Sequence, residues 1–142
     1  MVLLIWKCDM DSNRTYNENN YLLERVLNRR IIVCGGRDYN DEEKVDEILS
    51  EFVTVGDTVV SGGAKGADTL AFRWSMAQDG VGSEVWKAEW DKHGKAAGPI
   101  RNEQMLRSGA DLVIAFPGGR GTDHMIKIAK KAGVEVYEVN EH

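Results

Sequence analysis

Two apolar runs in this chain each lead directly into a glycine-rich turn, and that pairing limits the folds open to it. Leu112-Val113-Ile114-Ala115 runs into Phe116-Pro117-Gly118-Gly119-Arg120-Gly121-Thr122. Thr58-Val59-Val60 runs into Ser61-Gly62-Gly63-Ala64-Lys65-Gly66-Ala67-Asp68. After the first turn Met125, Ile128, Ala129 and Ala132 recur at helical spacing, and after the second Leu70, Ala71, Trp74 and Ala77 do. Strand, tight turn, helix is the order in which a backbone aims free N–H groups at an anion. Glycines are expected there to supply positive φ and to let a ligand come close to the main chain.

The same alternation extends over most of the chain. Ile31-Ile32-Val33-Cys34 is continuous and rich in β-branched residues, as a strand buried on both faces requires. Gly35 to Asn40 turns the chain, and Asn40 or Asp41 can cap a helix carrying Val45, Ile48, Leu49 and Phe52 on one side. The helix from Asp68 to Ala77 is expected to end at Gly80, and a third strand to run from Glu84 to Ala88. A loop bearing glycine and lysine should continue through Gly98, with a helix opening near Pro99. Leu112–Ala115, a helix after Thr122 and a last strand from Val134 to Val139 complete the pattern. Repeated β-α units with short links predict right-handed crossovers, and so an α/β fold whose parallel sheet of about five strands is covered on both faces. Residues 1–28 read as an appendage of short strand, polar loop and short helix, with the domain proper at 29–142.

A chain of 142 residues suits one such domain. A net charge of −5 argues against nucleic acid as a partner through a basic surface. Cys8 and Cys34, far apart, fit a reduced, cytoplasmic protein. The apolar start, Met1 to Trp6, is too short to span a membrane or to form a signal-peptide core. Within this acidic chain Arg37, Lys65, Arg101 and Arg120 each follow a strand or open a helix. In an open α/β sheet those positions gather at the carboxyl ends of the strands, where ligands bind. Arginine pairs bidentately with phosphate oxygens and lysine adds a mobile point charge.

Four motifs in order carry a family resemblance: Gly35-Gly36-Arg37-Asp38-Tyr39, Ser61 to Asp68, Gly98-Pro99-Ile100-Arg101-Asn102, and Phe116 to Thr122. Over residues 30–139 the chain resembles the YspA-like (DUF2493) branch of the SLOG superfamily, found in bacteria and phages. The resemblance implies a Rossmann-like three-layer sandwich that binds a nucleotide or nucleotide-derived signal, and a homo-oligomer. Related members include the Lonely Guy phosphoribohydrolases and the DNA-processing protein A group. In the hydrolases a glutamate stands three residues beyond the turn's threonine, whereas this chain has Met125, which begins an apolar helical pattern. A thioether cannot stabilise the positive charge that develops on ribose as an N-glycosidic bond breaks. Binding therefore carries over more readily than hydrolysis.

The expected ligand-binding residues are Gly35, Gly36, Arg37, Ser61, Gly62, Gly63, Lys65, Gly66, Trp90, Arg101, Asn102, Pro117, Gly118, Gly119, Arg120, Gly121 and Thr122. Trp90 is a candidate to stack on a base, and a side chain at Gly119 is expected both to block a phosphate and to strain the turn. If the protein is an N-glycosidic hydrolase of nucleoside 5′-monophosphates, Arg101 with Asp38, Asp68, Glu103 and Asp123 are its candidate catalytic groups. Asp68 and Asp123 have competing structural roles at the turn and the helix cap. A third reading is a ligand-sequestering or host-contacting protein. No cofactor is implied. His93, His124 and His142 lack metal-ligand spacing, and the Ser61–Asp68 turn lacks the Lys-Ser/Thr ending of a Walker loop.

Overall fold

The computed structural model describes residues 28–140, so the strand, loop and helix expected within residues 1–27 lie outside the described part. The elements in order are β1 (Arg30–Cys34), α1 (Glu42–Phe52), β2 (Thr58–Ser61), α2 (Ala67–Met76), β3 (Gly82–Val85), α3 (Trp90–His93), a 3-10 turn (Gly94–Ala96), α4 (Ala97–Arg107), β4 (Leu112–Ala115), α5 (Arg120–Lys131) and β5 (Glu135–Glu138). Among the described residues the strands form one sheet in the order β3-β2-β1-β4-β5, and every neighbouring pair is parallel. The chain winds outward from β1 to β3, then crosses back to lay β4 on the other side of β1. That reversal opens a crevice beyond the carboxyl ends of β1 and β4.

The alternation along β1 divides the core. Ile31 and Val33 face Val45, Ile48 and Leu49 of α1 and Ala67, Ala71 and Trp74 of α2. Ile32 and Cys34 face Met105 of α4 and Met125 and Ala129 of α5. With both faces filled the three central strands are buried throughout their length, apart from the first residues of β1 and β2. This accounts for the continuous apolar runs in the sequence. Met125 is fully buried, in keeping with the apolar pattern it begins.

Asp41 is the N-cap of α1, accepting the amide of Lys44 at 3.0 Å. The helix α2 runs from Ala67 to Met76 with Ala77 as its C-cap, within one residue of the expected Asp68–Ala77 at each end. The third strand lies earlier than expected, at Gly82–Val85, and the expected loop from Asp91 to Gly98 is largely helical. Pro99 falls inside the first turn of α4, where its missing N–H leaves no helical bond unmade. Arg30, the first residue of β1, grips Glu84 through its two terminal guanidinium nitrogens, at 2.5 and 2.9 Å, fastening β1 to the edge strand across β2. Asp57, fully buried, accepts the amides of Arg29 and Thr54 at 3.1 and 3.0 Å.

Candidate functional site

The two turns that end β1 and β4 are wedged together. The Gly36 amide donates to the Pro117 carbonyl at 2.9 Å. A Cβ on Gly118 would lie 2.6 Å from the Gly36 nitrogen and would also overlap the Thr122 hydroxyl. A Cβ on Gly35 would meet the Cβ of Ala67 at 2.5 Å and that of Phe116 at 2.9 Å. Gly118 leaves room for the backbone of the opposing turn, and Gly35 for the side chains of Ala67 and Phe116. Within the glycine-rich turns positive φ occurs at Gly63 and Gly66, but nowhere in the Pro117–Gly121 turn.

This wedge sets the start of α5 against a cavity of about 940 Å³. Gly119 is the N-cap of α5, no side chain caps it, and its carbonyl accepts the Asp123 amide at 3.0 Å. That is the first bond of the helix, so the amides of Arg120, Gly121 and Thr122 precede the ladder and are available to an anion. Gly119 to Thr122 all line the cavity. Arg37, Asp38, Asp68, Trp90, Arg101 and Asn102 line it as well. Trp90, 48% exposed, sits with the Arg37 guanidinium 5.7 Å from its ring centroid.

Arg101 reaches from α4 across the ends of β2 and β3. Its Nη1 donates to the Gly62 carbonyl and, at 3.3 Å, to that of Trp86, while Nε donates to Asn102 Oδ1 at 3.1 Å. Burial pushes its pKa down, offset by the charge of Asp68 and reinforced by that of Arg37. Asp68 accepts the Ala64 amide at 3.1 Å and so locks the second glycine turn. Its carboxyl is pushed up, mainly by burial, against the opposing pull of the Ala64 hydrogen bond and of Arg101. Asn102 donates to the Gly121 carbonyl at 3.1 Å and lies 3.2 Å from His124 Nδ1, joining α4 to the start of α5. Cys34, at the cavity floor, is buried and its thiol is pushed up by that burial, so it is held protonated.

Most of the residues singled out in the sequence converge here, with differences that have physical causes. Gly62, Gly63 and Lys65 border a second, adjoining cavity of about 370 Å³. Their turn spends a carbonyl on Arg101 and the Ala67 amide on the Gly36 carbonyl, so it is not a second phosphate cradle of the same kind. Ser61 is buried at the end of β2 and lines neither cavity. Gly66 serves packing instead, because a Cβ there would overlap the carbonyl oxygen of Gly36. Glu103 points away to Arg107, 3.9 Å distant, and Asp123 is exposed and lines neither cavity. The expected strain at Gly119 does not arise: its φ is −104° and a Cβ there meets nothing within 4 Å. His124, Lys95 and Tyr39 also line the larger cavity and Lys87 the smaller. Lys87 could have been found by its place just after a strand, as Lys65 was.

A parallel sheet in this order, with a glycine-lined crevice at its reversal, defines a Rossmann-like α/β domain. The chain belongs to the YspA, cpYpsA-related SLOG family, whose profile matches residues 29–93. It is also 44% identical over 117 residues to the "Gene 61 protein" of Mycobacterium phage D29, a match covering 76% of this chain and 94% of that relative. Among the described residues no helix is long and apolar enough to cross a membrane.

Proposed function

We propose that this protein binds a nucleotide or nucleotide-derived ligand in the larger cavity, with a phosphate seated on the amino end of α5. The observation that carries this reading is the uncapped start of α5, its amides opening onto a cavity that Arg37, Arg101 and Arg120 also line. An anion there gains the helix-end field and charge-assisted hydrogen bonds together. Trp90 offers its face to a base at the same mouth. The test is calorimetry against nucleoside monophosphates, cyclic nucleotides, ADP-ribose and NAD, with Arg120→Ala as the control. A folded protein that binds none of them sinks the proposal.

Hydrolysis of an N-glycosidic bond is the second reading. The observation in its favour is that Asp38 and Asp68 line the cavity and that Asp68 holds its proton more tightly than an ordinary carboxyl. Chromatography of a nucleoside 5′-monophosphate incubated with the protein separates the two readings. Release of free base supports hydrolysis, and binding without release excludes it.

A further inference from the structure

Beside the larger cavity lies the smaller one, lined by Arg37, Lys65, Lys87 and Arg101 together with the backbone of Gly62–Ala64 and with Ala88 and Trp90. No carboxylate lines it. Elsewhere among the described residues five cations are paired, Arg29 with Asp57, Arg30 with Glu84, Lys44 with Glu47, Arg107 with Glu103 and Lys130 with Glu138, while others such as Arg73 and Arg120 stand singly at the surface. None of the four cations at this cavity has an acidic partner within 4 Å among the described residues. Arg101 is the most telling of them. Its Nε and Nη1 are committed to Asn102, Gly62 and Trp86, whereas Nη2 makes no hydrogen bond among the described residues. A partly buried guanidinium with one nitrogen unspent is a group built to meet an anion. Gly63, at φ +73°, exposes its face to the side chain of Lys87, whose Cγ lies 3.1 Å from where a Cβ would stand. The turn after β2 and the segment after β3 thus bring Lys65 and Lys87 to one cavity.

We propose that the smaller cavity is a second anion subsite, and that the ligand of this protein carries a second phosphate-type group besides the one seated on α5. Arg37, Ala64, Trp90 and Arg101 line both cavities, so one molecule can occupy the two together. The inference rests on the preceding reading of the larger cavity. It narrows the ligand class from any nucleotide to one bearing two separate anionic groups, and it gives Lys87 a binding role.

The test uses the full chain and two kinds of probe. Inorganic phosphate titrated into isotope-labelled protein should move two sets of amide resonances, Arg120–Thr122 and Gly62–Lys65. In the Lys65→Gln/Lys87→Gln double variant only the second set should stop responding. Adenosine 3′,5′-bisphosphate should bind about tenfold tighter than adenosine 5′-monophosphate, and the double variant should erase that advantage while leaving the monophosphate unaffected. If only the α5 set responds, or the double variant responds like wild type, the second subsite is wrong while the larger-cavity reading stands. If neither set responds and neither nucleotide binds, both readings fall together.

Discussion

The amide of Gly36 donates to the carbonyl of Pro117 at 2.9 Å, tying the turn after β1 to the turn after β4. Gly118 sits against the same amide, while its neighbour Gly119 faces open space. Two adjacent glycines are therefore expected to respond oppositely to a side chain. Gly118→Ala should cost about 1–3 kcal/mol through overpacking. Gly119→Val should cost about 1 kcal/mol or less, because no contact or positive φ opposes it, yet it should obstruct the phosphate and abolish nucleotide binding. Melting temperature and affinity measured on both variants check this. Wild-type affinity in Gly119→Val would move the cradle elsewhere.

Arg120→Ala should weaken nucleotide binding and flatten its salt dependence with little change in melting temperature. Arg120 is exposed, lines the cavity and has no salt-bridge partner among the described residues, so its removal leaves nothing unpaired. Calorimetry at two ionic strengths reads both effects.

Asp68 separates the cost of a charge from the value of an acceptor. With its folded-state pKa raised, its contribution to stability is fully present below the unfolded value and is lost as pH rises through the folded one. Asp68→Asn keeps an oxygen for the Ala64 amide and removes the buried charge, so it should be neutral or stabilising at pH 7. Asp68→Ala leaves that amide unpaired and should cost about 1–3 kcal/mol. Denaturant unfolding of both variants at neutral pH decides it, and equal losses would show the carboxylate charge itself to be needed.

Glu84 has the opposite sign. Its hydrogen bonds from Arg30 hold its pKa below the ordinary 4.5, against a smaller push from burial and with help from Trp86. The stability it brings is present above the unfolded value and drains away as pH falls through the folded one. Glu84→Gln should therefore cost about 1 kcal/mol at pH 7, an amount suited to a partly exposed pair, and progressively less as pH falls below the ordinary 4.5. A penalty independent of pH in urea titrations would show that the pair's charge is irrelevant.

Met125→Glu should not create a hydrolase. It would place a carboxylate in the fully buried cluster of Ile32, Val113 and Ala129, at a cost on the order of 4 kcal/mol. Loss of the folded transition without any release of base is the expected result. A stable variant that cleaves nucleotides would overturn this placement.

The three central strands and the glycine turns were legible because each rests on a local pattern, a continuous apolar run or glycine after a strand, whereas β3, Gly82-Ser83-Glu84-Val85, has no such run and was placed too late. The site gathered Arg37, Arg101 and Arg120 because strand ends in a parallel sheet share an edge. What could not be read depends on partners distant in sequence. Asn102 reaches His124 and Gly121 from another helix, and Arg30 reaches Glu84 across an intervening strand. The short helix Trp90–His93 has no buried residue and hence no apolar period to betray it. Which glycine of the pair at 118 and 119 is wedged is likewise a property of the opposing turn at Gly35-Gly36.

On the proposed reading, the clasp between those turns also governs how the energy of binding is divided. The amides at the head of α5 belong to main chain already held by the Gly36–Pro117 bond and by Asn102 on the Gly121 carbonyl. Little backbone freedom is left to lose when an anion arrives, so the entropic penalty falls on long side chains such as Lys65, Lys87 and Arg120. Ligands that share the same phosphate anchor would then differ in affinity chiefly through how many of those side chains they immobilise.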